Sequence, residues 1–83
     1  MVQERKAMHI EPFYLYLVDD DQKTFNIIGP MTDDSLWIDR GAEAQNSGRN
    51  VRCFSAPAAE AKDLAASKYA AQMQYVYVTA VIF

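Results

Sequence analysis

From Phe13 to Val18 the chain reads Phe-Tyr-Leu-Tyr-Leu-Val, and three consecutive aspartates, Asp19 to Asp21, cut the run off. Six residues are too few for a typical helix, and aromatic and branched side chains favour extended backbone, so the run predicts a strand. Its odd and even positions are both apolar, the pattern of a central strand covered on both faces. Neighbouring carboxylates repel and prefer solvent. Thr24 to Ile28 then reads as a second strand, which makes the pair an antiparallel hairpin ended by Gly29 and Pro30.

Thr32, Asp33, Asp34 and Ser35 form a helix start, because their side chains can cap free N–H groups and the carboxylates suit the positive end of the helix dipole. The first helix would carry Leu36, Trp37, Ile38, Ala42 and Ala44 and stop at Asn46 or Ser47. Gly48 is placed to take the left-handed conformation after it. Val51 to Ser55 is a third strand. Ser55 and Pro57 are expected to open a second helix, since a proline in the first turn loses no hydrogen bond. That helix would run to about Gln72 on a string of alanines, the residue with the best helix propensity. Tyr75 to Phe83 reads as a long apolar strand with no polar tail.

The fold this predicts is α/β of the α+β kind. It is a two-layer sandwich, a four-stranded mixed sheet with two helices in the order ββαβαβ, both helices on one face. Right-handed crossovers put them on one face only if the strand order keeps moving in one direction; otherwise they cover opposite faces.

Eighty-three residues suit a single domain. A chain this short buries only about 60 to 65% of its unfolded surface, so its stability margin is thin. Its apolar content, 51% of residues, is that of a globular chain. We expect residues 1–8 to form a loose tail and residues 9–83 one domain. Cys53 stands alone and can form no internal disulfide, which favours a reducing compartment. No stretch approaches the roughly 20 apolar residues of a membrane span, and the polar N-terminus lacks a signal-peptide core. A cytoplasmic protein without a membrane partner is the expectation. The formal charge of −3 argues against a polyphosphate partner, which draws on clustered Lys and Arg.

Taking the more aliphatic set of each strand as inward selects Phe13, Leu15, Leu17, Phe25, Ile27, Val51, Cys53, Val76, Val78, Ala80 and Ile82, and leaves Tyr14, Tyr16, Asn26, Ile28, Arg52, Phe54, Tyr75, Tyr77 and Thr79 on the other face. Four of the five tyrosines fall there. Tyr14, Tyr16, Arg52, Phe54, Tyr75 and Tyr77 are therefore the candidate interaction face. Exposed rings with arginine mark protein interfaces, self-association included; they can also stack nucleobases; or they reflect only the high strand propensity of tyrosine.

Leu17 to Asp21 resembles the acidic end of the first strand in bacterial receiver domains, but the chain is too short for their five strands and offers no separate phosphoacceptor aspartate. A calcium loop is excluded by Thr24 and Pro30 at its glycine and glutamate positions. His9 and Cys53 are each the only residue of their type, too few for a zinc site. Three glycines match no phosphate loop. The sequence therefore predicts no catalytic residue, cofactor or metal, and a non-enzymatic interaction or regulatory module. A nucleic-acid-binding module using the same ring-bearing face is the alternative.

Overall fold

The hairpin forms as the sequence predicts. Strand β1 (Phe13–Asp19) and strand β2 (Thr24–Met31) pair antiparallel, with Asp19 opposite Thr24 across the loop Asp20–Lys23. Asp19 turns the chain itself: its Oδ1 accepts the N–H groups of Asp21 and Gln22, both at 3.0 Å, as aspartate does in turns. Lys23 closes the loop in the left-handed region, at φ 58°. The structure, a computed structural model, describes residues 11–33 and 35–79, with backbone alone for residues 35–38. The expected tail 1–8, His9, the side chains of Leu36, Trp37 and Ile38, and the last four residues lie outside the described residues.

β2 runs past its expected end. Gly29 and Pro30 stay within the strand, and the pairing register shifts between Phe13 and Leu15 to accommodate them. Gly29 sits at φ 120°, and a Cβ there would meet the Phe13 carbonyl at 3.0 Å, so the irregularity requires glycine.

Helix α1 (Ser35–Asn46) ends where expected, with Gly48 at φ 75° and the Ser47 hydroxyl donating to the Ala44 carbonyl, a left-handed stop of the usual kind. Strand β3 (Val51–Pro57) is longer than expected, and helix α2 (Lys62–Met73) starts later. Ser55, Ala56 and Pro57 pair with Leu15, Tyr14 and Phe13 and so belong to the sheet. The ladder partners offered by β1 outweigh a helix preference of well under about 1 kcal/mol per residue. Strand β4 is described over Val76–Tyr77, parallel to β2; the rest of the long strand expected to Phe83 is not strand at Val78 and Thr79 and is undescribed beyond them.

The sheet has four strands in the order β3-β1-β2-β4, mixed, with two helices in the order ββαβαβ, so the α+β reading stands. The arrangement on one face does not. β2, β3 and β4 all run parallel to one another, and the two crossovers travel in opposite directions, from β2 over β1 to β3 and then from β3 back to β4. Two right-handed crossovers of opposite direction put their helices on opposite faces. α2 accordingly packs on Tyr14, Tyr16, Val18, Phe25 and Ile27 through Ala65 and Ala66. α1 packs on β3 from the other side, where Leu15 and Leu17 are fully buried and the Arg40 charge acts on the Cys53 thiol.

Candidate functional site

The six candidate residues do share one side of the sheet. Ladder pairing sets Tyr16 beside Phe54, Val18 beside Arg52, Tyr14 beside Ala56 and Phe25 beside Tyr77, and Tyr75 joins the same cluster. The expected exposure is found at Arg52, in part at Phe54, Tyr75 and Tyr77, and not at the first two tyrosines. Tyr14 is 4% and Tyr16 8% exposed, because α2 lies over them. The inward set also splits: Phe25 and Ile27 lie with the tyrosines, whereas Leu15, Leu17 and Cys53 lie on the side of α1.

Tyr69 of α2 is the residue that closes this face. Its ring lies 5.1 Å from that of Tyr16 and 4.8 Å, edge on, from that of Phe25. Tyr16 stacks flat on Phe54 at 5.1 Å with the planes 9° apart, and Phe25 meets Tyr77 at 5.3 Å. The rings thus form a row that crosses the sheet from β4 to β3, in the tilted and offset contacts aromatic quadrupoles prefer. The Tyr14 hydroxyl donates to the Glu60 carbonyl at 2.7 Å, pinning the segment that leads into α2. Burial, with the Glu60 charge nearby, raises the Tyr16 hydroxyl above its ordinary pKa, since both disfavour the phenolate. While α2 is in place neither ring offers a free face to a stacked base, and Tyr16 is reached from outside at the recess beside Pro57.

Charge is organised at the hairpin end. Arg52 donates through Nε and Nη2 to the Asp20 carboxylate at 2.7 and 2.9 Å, a two-pronged contact of the stronger, charge-assisted kind. The Tyr75 hydroxyl donates to the same carboxylate at 2.6 Å. The Arg52 bond, then that of Tyr75, holds the Asp20 carboxyl below the ordinary carboxylate value, because both favour the charged form. Asp21 accepts the Asn50 N–H at 3.2 Å, and Asp19, 1% exposed, faces Arg49 at 3.5 Å. Asp20 is therefore a fastener joining the hairpin to β3 and to the approach to β4, and Asp19 is buried, whereas Asp21, Gln22 and Lys23 form the solvated turn expected. Among the described residues no group of acidic, His or Cys side chains is placed to hold a metal ion.

What remains open is the rim of the sheet. The Asp20 N–H donates to the Asn50 carbonyl, and the Ala58 N–H to the Pro12 carbonyl. Alternation then fixes the rest: Arg52, Phe54 and Ala56 aim their backbone groups at β1, while Val51, Cys53, Ser55 and Pro57 aim theirs outward. Among the described residues β3 is an edge strand, so the N–H and C=O groups of Cys53 and Ser55 face no further strand. The ring row ends here, on half-buried Phe54. Beyond the last residues of β3 is a recess of about 210 Å³ floored by Tyr16 and Tyr69 and rimmed by Pro57, Glu60, Lys68 and Gln72.

The backbone rim and the role of Tyr69 were missed from sequence, because both follow from strand order. No protein-family model, curated protein or solved structure matches the chain.

Proposed function

We propose that this chain is a small non-enzymatic interaction module whose protein partner adds a strand along β3. The observation that carries the reading is the outward row of backbone groups at Cys53 and Ser55 on seven-residue β3, the edge strand among the described residues. A strand with free donors and acceptors is a template for another chain, and binding by strand addition draws its affinity from such groups and its specificity from neighbouring pockets. The recess beside Pro57 supplies a pocket for one partner side chain. In this reading the interaction surface is the rim along β3, which includes Arg52 and Phe54, and not Tyr14 and Tyr16, which α2 covers.

The polar chemistry supports a binding role over a catalytic one. Asp20, Arg52 and Tyr75 are committed to one another, Asp19 to the turn backbone and to Arg49, and Asp21 to the Asn50 N–H before β3. Burial raises the Cys53 thiol above its usual pKa, with Arg40 opposing only in part, so it is a poor nucleophile. No helix among the described residues is long and apolar enough to cross a membrane.

The test is a selection of extended peptides on the full chain, with contact mapped by amide exchange and repeated on Ser55→Pro. Proline removes an outward N–H and leaves the ladder to β1 intact, and such edge positions tolerate it. Binders should protect the Cys53 and Ser55 amides and be lost in the variant. Peptides that bind elsewhere, or bind the variant unchanged, refute the reading.

A further inference from the structure

We infer that the strand added along β3 is a second copy of this chain, paired antiparallel about a two-fold axis through Phe54. The inference rests on the strand-addition reading and names its occupant. Its ground is self-complementarity, which a two-fold contact demands. With Cys53 of one copy opposite Ser55 of the other, each copy donates from both N–H groups and accepts at both carbonyls. The next outward pair is Val51 against Pro57. Proline has no N–H, and the Val51 N–H is already given to the Arg49 carbonyl at 3.0 Å, so the pairing ends there without leaving a donor stranded.

The side chains choose this register over its neighbours. Phe54 meets Phe54 across the axis, at the close spacing of a non-hydrogen-bonded pair. It extends the row Tyr77, Phe25, Tyr69, Tyr16, Phe54 into the second copy. Arg52 falls opposite Ala56, a small residue that leaves room for the guanidinium and its bond to Asp20. Moving the pairing so that Arg52 faces its own copy would set like charges together. An open ring row and an open backbone row thus end at the same strand, and one operation satisfies both.

Two measurements on the full chain decide it. Sedimentation across concentration should show the 9.4 kDa chain doubling in mass. Ser55→Pro, checked as folded by circular dichroism, should dimerise at least about tenfold more weakly, given the bonds it loses. Ser55→Cys in the presence of native Cys53 tests the register without weakening the fold. Opposed residues lie about 5.5 Å apart, within disulfide reach, whereas Cys53 to Cys53 in this register exceeds about 7 Å. Mild oxidation should therefore link Ser55→Cys into a covalent dimer and leave the native chain unlinked. A native chain that links through Cys53 overturns the register. A native chain that stays monomeric, with Ser55→Cys unlinked, overturns the second copy as occupant; if extended peptides still protect the Cys53 and Ser55 amides, strand addition survives alone, and if they do not, both readings fall.

Discussion

Replacing Tyr16 with alanine separates a ring buried under a helix from a ring on a free surface. Tyr16 is 8% exposed and touches two other rings, those of Phe54 and Tyr69, each at 5.1 Å. An aromatic side chain of this kind buries about 150 Å² or more. At about 25 cal/mol per Å², discounted for the partly collapsed unfolded chain, its loss costs about 3 kcal/mol. The two ring pairs add of order 1 kcal/mol more, which brings the figure to the usual range for emptying an aromatic site, about 3–5 kcal/mol. A small domain holds about 0.05–0.15 kcal/mol per residue, so this one substitution removes a large part of the total. Urea unfolding followed by tryptophan fluorescence reads it directly. With a slope of about 1–1.5 kcal/mol per molar, the midpoint should fall by at least about 2 M or the variant should be unfolded in buffer. A loss under about 1 kcal/mol, far below the buried-ring range, would mean that Tyr16 sits in solvent, and the whole placement of α2 would be wrong.

Other expectations follow from single contacts. The Asp19 carboxylate accepts the Asp21 and Gln22 N–H groups. Asp19→Ala leaves both without their acceptor and should cost about 1 to about 2 kcal/mol by chemical denaturation; Asp19→Asn keeps an acceptor and should cost less than half as much. Gln74 caps α2 at φ 60°, its N–H bonded to the Ala70 carbonyl. Gln74→Gly should therefore raise the midpoint of thermal unfolding by a gain of about 0.5 to about 1 kcal/mol, and Gln74→Val should lower it. Asp20 titrates lower in the folded chain than in the unfolded one, where its value is about 3.9. Its contribution is present above about pH 4 and lost as the pH falls through the folded value. Arg52 is 44% exposed. Solvent screening therefore holds the amount under about 1 kcal/mol, and Asp20→Asn should flatten the acid limb of a stability–pH curve.

The local signals in the sequence were legible. The aspartates after Val18 and the glycine at 48 act within a few residues and placed their turn and helix end, and α1 begins at Ser35, the last of the polar residues expected to start it. What failed depended on partners distant in sequence. Sorting the strands by aliphatic content put Phe25 and Ile27 with Leu15 and Leu17, yet β1 is apolar on both faces, so that criterion could not align the faces of neighbouring strands. Loop length held the better signal. Asp19 opposite Thr24 across an even-numbered loop puts Phe25 beside Val18 and Ile27 beside Tyr16, and a slip of one residue would reverse both. The alanines at 56, 58 and 59 misplaced the start of α2 because propensity carries no information about the free ladder of β1. The side on which each helix lies follows from strand order, which no local pattern encodes, and with it went the exposure of Tyr14 and Tyr16.

The most direct check is a set of nuclear Overhauser contacts among aromatic ring protons in the native chain. Centroids 4.8 and 5.1 Å apart bring edge protons well within range, so the Tyr69 ring should give strong cross-peaks to both Phe25 and Tyr16. If Tyr69 shows neither, α2 does not cover that side of the sheet, and the tyrosines and not the rim of β3 become the surface to explain.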